Sequence, residues 1–308
     1  MSHTSPILPE VFSVADRISL QGERNTLRAT AARLLLTIFA ALALALAPLW
    51  PTELFHRDDV EILALAASAL FLAALLAEIR LVRGRPERGW YDGRAVAESA
   101  KTLTWRYAVG ALPYPVHHDA GAALKRDMHN LTTDVAPLRE AVASATVSTA
   151  WMENLRSRDL VTRRNVYLRD RVEQQQAWYS RKAAYNAQRA KWWSIGLLAT
   201  ETAGVALAAL KSLAFVSIDL ASLASALIAS GGAWLAVRQH ESIAAAYLLA
   251  SRELNAVKQH LLSVDHEDRW ATEAADAEEA ISREHTMWRA SRTVPDPTTG
   301  HGRRLPLE

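Results

Sequence analysis

The chain has 308 residues, half of them apolar and 22% charged, with a formal charge of only +2 and no cysteine. This excludes a disulfide framework, a thiolate metal site and a cysteine nucleophile, and no global basic field points to nucleic acid. A mean hydropathy of -0.03 is too polar for a chain that is mostly membrane, so any spans share it with a large water-exposed part.

In chain order, Val11, Val14, Ala15 and Ile18 recur at i, i+3, i+4 and i+7 and predict a short amphipathic lead-in helix. Two uncharged runs follow, LLLTIFAALALALAPL from Leu34 to Leu49 and ILALAASALFLAALLA from Ile62 to Ala77. With a bilayer core needing about 20 helical residues, they predict spans over about 34–50 and 60–79. The loop between them holds Pro51, Glu53, Asp58 and Asp59. Next, WYDGRAVAESAKTLTWRYAVGALPYP, from Trp90 to Pro115, reads as a helix broken at GALPYP. Arg94, Glu98, Lys101 and Trp105 project from one side of it, and Val96, Ala100, Leu103 and Tyr107 from the other. The first four are candidates for sensing a cytoplasmic signal. Arg94, Glu98 and Lys101 also satisfy one another at helical spacing, as a solvated face or a helix contact would.

From Asp159 to Lys191 the chain has no Gly or Pro and runs into a third apolar stretch, Trp192 to Leu210. The helix from Asp159 to Lys211 would extend about 80 Å if straight, and a kink is expected. Only Lys211 and Ser212 part the third span, 192–210, from the fourth, 213–237. The turn makes the two antiparallel. Arg238 to Leu262 again lacks Gly and Pro and predicts a two-helix stalk, and Trp270 to Arg292 a further charged helix. Beyond Thr293, Pro295, Pro297, Gly300 and Gly302 read as a disordered tail.

Charge placement sets the orientation. Arg57 and Lys211 alone fall in the hairpin loops, whereas Arg28 and Arg33, Arg80, Arg83, Arg85 and Arg88, Arg189 and Lys191, and Arg238 flank the opposite ends of the four runs. The positive-inside bias then places both termini in the cytoplasm. Trp50, Trp192, Trp193 and Trp234 fall near run ends, where amphipathic rings favour the interface. The fold expected is all-α, an integral membrane protein with two transmembrane helical hairpins and a cytoplasmic helical bundle or stalk. Residues 1–115 form a first unit, 116–157 a cytoplasmic helical connector, 158–292 a second unit and 293–308 the tail.

Glu201 interrupts IGLLATETAGVALAAL, and counted from the turn it lies about 16 Å down one helix, with Asp219 about 11 Å down the other. An ionised carboxylate at the bilayer centre costs on the order of 3 kcal/mol, so such residues face a bundle interior, a partner or water. Two readings stand: the acids line a cation-favouring path between assembled subunits, or each is protonated or bonded to Thr200, Ser217 or Ser222 without conduction. Gly196, Thr200, Gly204 and Ala208 recur every fourth position, as do Ala221, Ser225, Ala229 and Ala233, and predict close helix packing. His117, His118 and Asp119 are the one dense ligand-like cluster, without a second cluster at metal spacing. No metal, cofactor or catalytic set is expected, so the chain reads as a non-enzyme.

Three segments carry a resemblance. RAVAESAKTLTWRYAVGALPY, from Arg94 to Tyr114, resembles the stretch after the hairpin in the SLATT family, two-transmembrane effector domains associated with nucleotide-signalling systems. VYLRDRVEQQQAWYSRKAAYN (Val166 to Asn186) and DAEEAISREHTMWRASR (Asp276 to Arg292) resemble the ends of a second such unit, making two in tandem. The Gly110 to Leu112 corner departs from the acidic variant expected there. The resemblance implies a prokaryotic antiviral or conflict role in the inner membrane, with a homo-oligomeric pore opened after a nucleotide-sensing or nucleotide-producing partner responds. A membrane-anchored scaffold or sensor that never conducts is the alternative.

Overall fold

The computed structural model describes residues 6–49, 56–57, 60–133, 147–215 and 218–292. Trp50, Ser217, the middle of the predicted connector and the predicted tail lie outside the described residues. Among the described residues ten α-helices follow one another: α1 Glu10–Leu46, α2 Ile62–Gly84, α3 Pro86–Val109, α4 Gly121–Thr133, α5 Ala150–Arg156, α6 Leu160–Tyr167, α7 Gln174–Ser212, α8 Leu220–Arg238, α9 His240–Leu262 and α10 Glu267–Arg292. A π-turn, Leu168–Glu173, joins α6 to α7 and is where the long third helix changes winding. The described exception to helix is a two-residue antiparallel pair, β1 His56–Arg57 with β2 Val60–Glu61.

Helix ends follow local chemistry. Thr149 and Asp159 cap α5 and α6 by accepting from the backbone N–H of Met152 and Thr162. The lead-in and first span form one uninterrupted helix, α1. The predicted stalk is interrupted: α8 ends at Arg238, Gln239 takes a left-handed conformation with φ 48°, and α9 starts at His240. Absence of Gly and Pro therefore did not guarantee continuity.

The chain divides into two compact units, each drawing on both halves of the sequence: Asp16–Gly93 with Val172–Asn255, and Met1–Ala15 with Arg94–Arg171 and Ala256–Glu308. The first is apolar. Four helical stretches, within Glu10–Leu46, Ile62–Val109, Leu160–Ser212 and Leu220–Leu262, are long and apolar enough to cross a membrane. Their burial pattern runs opposite to that of a water-soluble core. Large side chains such as Leu35, Phe39, Leu65, Leu72, Leu198 and Val205 are exposed, while Ala40, Ala67, Ala74, Ala224, Ser230 and Gly231 are buried. Small residues inside and large apolar ones outside are what a lipid solvent selects, because close backbone approach then drives packing.

Within this unit, α1 and α3 meet at Gly22, where an added Cβ would lie 2.5 Å from the Trp90 nitrogen and 2.9 Å from the Pro86 carbonyl oxygen. Beside it the Ser19 hydroxyl donates to the Trp90 carbonyl at 3.0 Å. Arg33 and Glu78 form an ion pair that ties α1 to α2 at one end of the spans. Farther along, α7 and α9 are joined by the hydroxyls of Ser180 and Ser251 at 2.8 Å and by rings of Trp178, Tyr179 and Tyr247. Asn186 Nδ2 donates to the Lys182 carbonyl, which turns its Oδ1 toward His240; Nδ1–H of His240 therefore donates to that oxygen at 2.7 Å. Burial holds the His240 imidazole below its usual pKa, with Arg238 and Arg189 adding to the effect.

The structure places the residues of the predicted small-residue stripes unevenly. On α7 the less exposed positions are Trp193, Leu197, Thr200, Gly204 and Leu207, spaced 4-3-4-3, and Gly204 approaches Ala224 of α8. Thr200 and Gly204 lie in this seam, but Gly196 and Ala208 are exposed, and an added Cβ at Gly196 would meet nothing. The reason is helical winding: each four-residue step overshoots a full turn by ~40°, so a strict i+4 stripe drifts off a seam whose period is near 3.5. On α8, Ala224, Ser230 and Gly231 are buried, Ala221 and Ala233 lie at intermediate exposure, and Ser225 and Ala229 face outward.

Gly231 and Gly232 supply a paired test. A Cβ at Gly231 would come within 2.8 Å of Leu197 and 3.8 Å of the Trp193 ring, whereas at Gly232 it would meet nothing. Gly231→Leu is expected to cost ~1–3 kcal/mol through overpacking and Gly232→Leu little. Thermal unfolding midpoints in detergent check the difference.

The second unit is polar and closes around aromatic rings. Trp105 of α3 stands edge-on to Trp151 of α5 at 5.1 Å and Tyr167 of α6 at 5.8 Å, and Tyr167 in turn to Trp270 of α10 at 5.8 Å. Edge-to-face pairs of this kind add about 0.5–1.5 kcal/mol each beyond the area they bury. Arg156 of α5 closes the predicted GALPYP break, donating to the carbonyls of Tyr107, Tyr114, Pro115 and His118 at 2.7–3.2 Å.

Candidate functional site

Each unit contains one arrangement that packing alone does not require. In the apolar unit it is Glu201, exposed on α7 at about 16 Å from the Ser212 end of the helix. Its neighbours one turn away, Leu198 and Val205, are 64% and 73% exposed, so the carboxylate sits on an outward apolar surface. Thr200 does not hold it, because that hydroxyl donates to the Gly196 carbonyl at 2.8 Å.

Asp219 is not the partner at matching depth that the sequence predicts. The connection between α7 and α8 is longer than Lys211 and Ser212: it runs from Leu213 to Asp219, with Ala214 at φ 59°. Asp219 caps α8, accepting from the Ser222 backbone N–H at 3.2 Å and from its hydroxyl at 2.6 Å, and it pairs with Lys211 at 3.3 Å. These bonds, the Ser222 hydroxyl first, hold its carboxyl below the usual range. Capping chemistry drew the aspartate out of the helix. Of the two candidate acids, Glu201 is the one mid-span.

In the polar unit the arrangement is a buried charge cluster. Arg163, Tyr167 and Arg171 lie on one stripe, i, i+4 and i+8, and face α10. Nε and Nη2 of Arg171 donate to the two Glu278 oxygens at 2.8 and 2.7 Å, and the Tyr167 hydroxyl donates to the first of them at 2.9 Å. Both Arg171 and Glu278 are fully buried. Glu278 pushes the Arg171 guanidinium above its usual pKa despite burial. Arg163, also buried, donates to the Val109 carbonyl at 2.6 Å and pairs with Glu267, while the Trp270 indole N–H reaches the same carbonyl at 2.8 Å.

The predicted sensing residues on α3 adjoin this cluster. Arg94 and Glu98 pair at 2.9 Å, and Glu98 is buried. Burial, and then the Arg171 charge, push the Lys101 ammonium below its usual pKa, opposed by Glu98 and Glu278. Trp105 is 1% exposed and serves the aromatic core instead of presenting a surface. Val96, Ala100 and Tyr107 on the other face are buried too, so α3 is enclosed on both sides here. Sequence reasoning missed Arg163, Arg171, Trp270 and Glu278. Their signal was present: the 163/167/171 stripe and the matching 270/274/278 stripe mark two facing helices, but charged residues at such spacing also describe a solvated face. At the His117 to Asp119 cluster, Asp119 accepts from the Gly121 N–H at 3.2 Å at the start of α4.

Residues 9–164 match the family model described as SMODS and SLOG-associating 2TM effector domain 3, and residues 167–288 match domain 1 of the same series. The chain belongs to the SMODS and SLOG-associating 2TM effector family. Two of its domains stand in tandem, meeting at the end of α6, and each supplies two of the four apolar helices. SLATT domains mark the chain as a membrane effector of conflict systems. No curated protein and no solved structure matches it.

Proposed function

We propose that this SLATT protein is a non-enzymatic, pore-forming effector of an antiviral system, acting as a homo-oligomer in the inner membrane with both termini in the cytoplasm. The observation that carries this is the exposure of Glu201. A carboxylate facing hydrocarbon costs roughly 2.5–3.5 kcal/mol on insertion scales, and the chain's own four spans leave it uncovered. Assembly of several copies removes that cost by turning the residue toward a water-filled lumen, where a ring of acids favours cations. The excess of Arg and Lys on one side of the spans supports the orientation. The polar unit then lies in the cytoplasm, where a nucleotide-sensing or nucleotide-producing partner protein can reach it, the context in which the family's domains occur.

Induced expression is expected to collapse the membrane potential, read with a potential-sensitive dye, and the purified chain to release ions from sealed vesicles. Intact potential together with sealed vesicles would overturn the pore and leave a membrane-anchored scaffold that recruits a cytoplasmic partner.

A further inference from the structure

Just before the third span, α7 carries Arg181, Lys182, Tyr185, Gln188, Arg189 and Trp192 on one arc of its surface, all of them exposed. From Gln174 to Thr200 this helix contains no Asp or Glu. Among the described residues, none of the three cations has a carboxylate within ion-pair distance. They are arranged instead around aromatic rings: Arg189 lies 5.3 Å from the Tyr185 ring centre, and Lys182 5.9 Å from it and 5.8 Å from that of Trp178.

Two other basic residues near the spans are differently placed. Arg33 is neutralised by Glu78, and on the exposed side of α9 Arg252 stands beside Glu253. The α7 stripe differs from both in having no acid beside it along the helix.

We infer that the exposed α7 stripe Arg181, Lys182, Tyr185, Arg189 and Trp192 binds anionic phospholipid headgroups of the membrane the spans cross. The register supports this occupant. Trp192, 62% exposed, marks the border of the apolar stretch, and Arg189 lies about 5 Å below it along the helix, at the depth of lipid phosphates. Lys182 and Arg181 lie roughly 10 Å farther, about one Debye length, where they attract anionic lipid without displacing it from the leaflet. Each Lys or Arg held near an anionic leaflet adds to the attraction for its lipids. Cation–π contacts hold Arg189 and Lys182 in place before a headgroup arrives. The inference rests on the four helices crossing a bilayer and not on pore formation.

Native mass spectrometry of the full chain, released from micelles doped with equal phosphatidylglycerol and phosphatidylcholine, tests it. The expected result is preferential retention of phosphatidylglycerol, reduced at least about tenfold in Arg181→Gln/Lys182→Gln/Arg189→Gln. It should be kept in the charge-conserving Arg181→Lys/Arg189→Lys and unaffected by Arg252→Gln. Equal retention of both lipids, undiminished retention by the triple variant, or an equal loss in Arg252→Gln overturns the proposal. Displacement of the lipid by inorganic phosphate would assign the stripe to a free anion and overturn it too. Vesicle leakage, measured separately, reports on the pore alone.

Discussion

Replacing Glu278 with glutamine is expected to lower the stability of the polar unit by about 3–5 kcal/mol, a large fraction of what holds an ordinary domain together. The carboxylate is fully buried and answers a guanidinium that is also buried, through two hydrogen bonds, with a third from Tyr167. The amide keeps the shape but removes the charge. Arg171 cannot shed its proton, so its full positive charge would stay in a dry interior beside Lys101. Differential scanning fluorimetry or proteolysis in detergent measures the loss. The double change Arg171→Met/Glu278→Leu is expected to recover most of it, since an apolar pair of similar volume avoids the desolvation cost. A single variant as stable as wild type would contradict the placement of Glu278 against Arg171. Around Lys101 the cluster holds three cations, Arg94, Lys101 and Arg171, against Glu98 and Glu278. Lys101→Met is accordingly expected to be neutral or stabilising.

Glu201→Gln is expected to act on conduction instead of stability. Exposed on α7, the residue is not part of the α7–α8 seam, so the hairpin should form normally. On the proposed pore, what changes is the charge facing its lumen. If each copy contributes one carboxylate, neutralising the ring should reduce cation-over-anion preference about five- to tenfold, equivalent to ~1–1.4 kcal/mol in relative barrier height. Reversal potentials in planar bilayers under a salt gradient read this directly. Glu201→Asp should keep most of the selectivity. Unchanged reversal potentials in Glu201→Gln would remove the residue from the ion path.

The parts of this fold that were legible in the sequence share one physical origin. Four long apolar runs announce membrane helices because hydrocarbon tolerates little else, and the run boundaries carry their own Arg, Lys and Trp markers. Segments that obey subtler balances were not legible. Asp219 looked intramembrane because its neighbours are apolar, yet its side chain gains more by capping α8 with Ser222 than by extending the helix. Gly196 and Ala208 fit the i+4 rule but drift from a 3.5-residue seam. Trp105 falls on the candidate sensing face by spacing, while rings of α5 and α6 enclose it. Burial of Arg171 and Glu278 depends on two segments more than a hundred residues apart meeting in register, which no local pattern encodes. The family resemblance placed those segments at the two ends of a second unit without saying what they touch.

Everything about Glu201, the seam and the α7 stripe depends on lipid being the solvent of four helices with both ends of each hairpin on the same side. The chain has no cysteine, so single cysteines can report sidedness without background. Ser212, at the end of α7 beside the hairpin loop, and Ser263, beyond α9, are both exposed. In intact cells, Ser212→Cys is predicted to react with a membrane-impermeant maleimide, and Ser263→Cys only after permeabilisation. Equal labelling of both in intact cells, or recovery of both variants as compact monomers without detergent, would contradict the account.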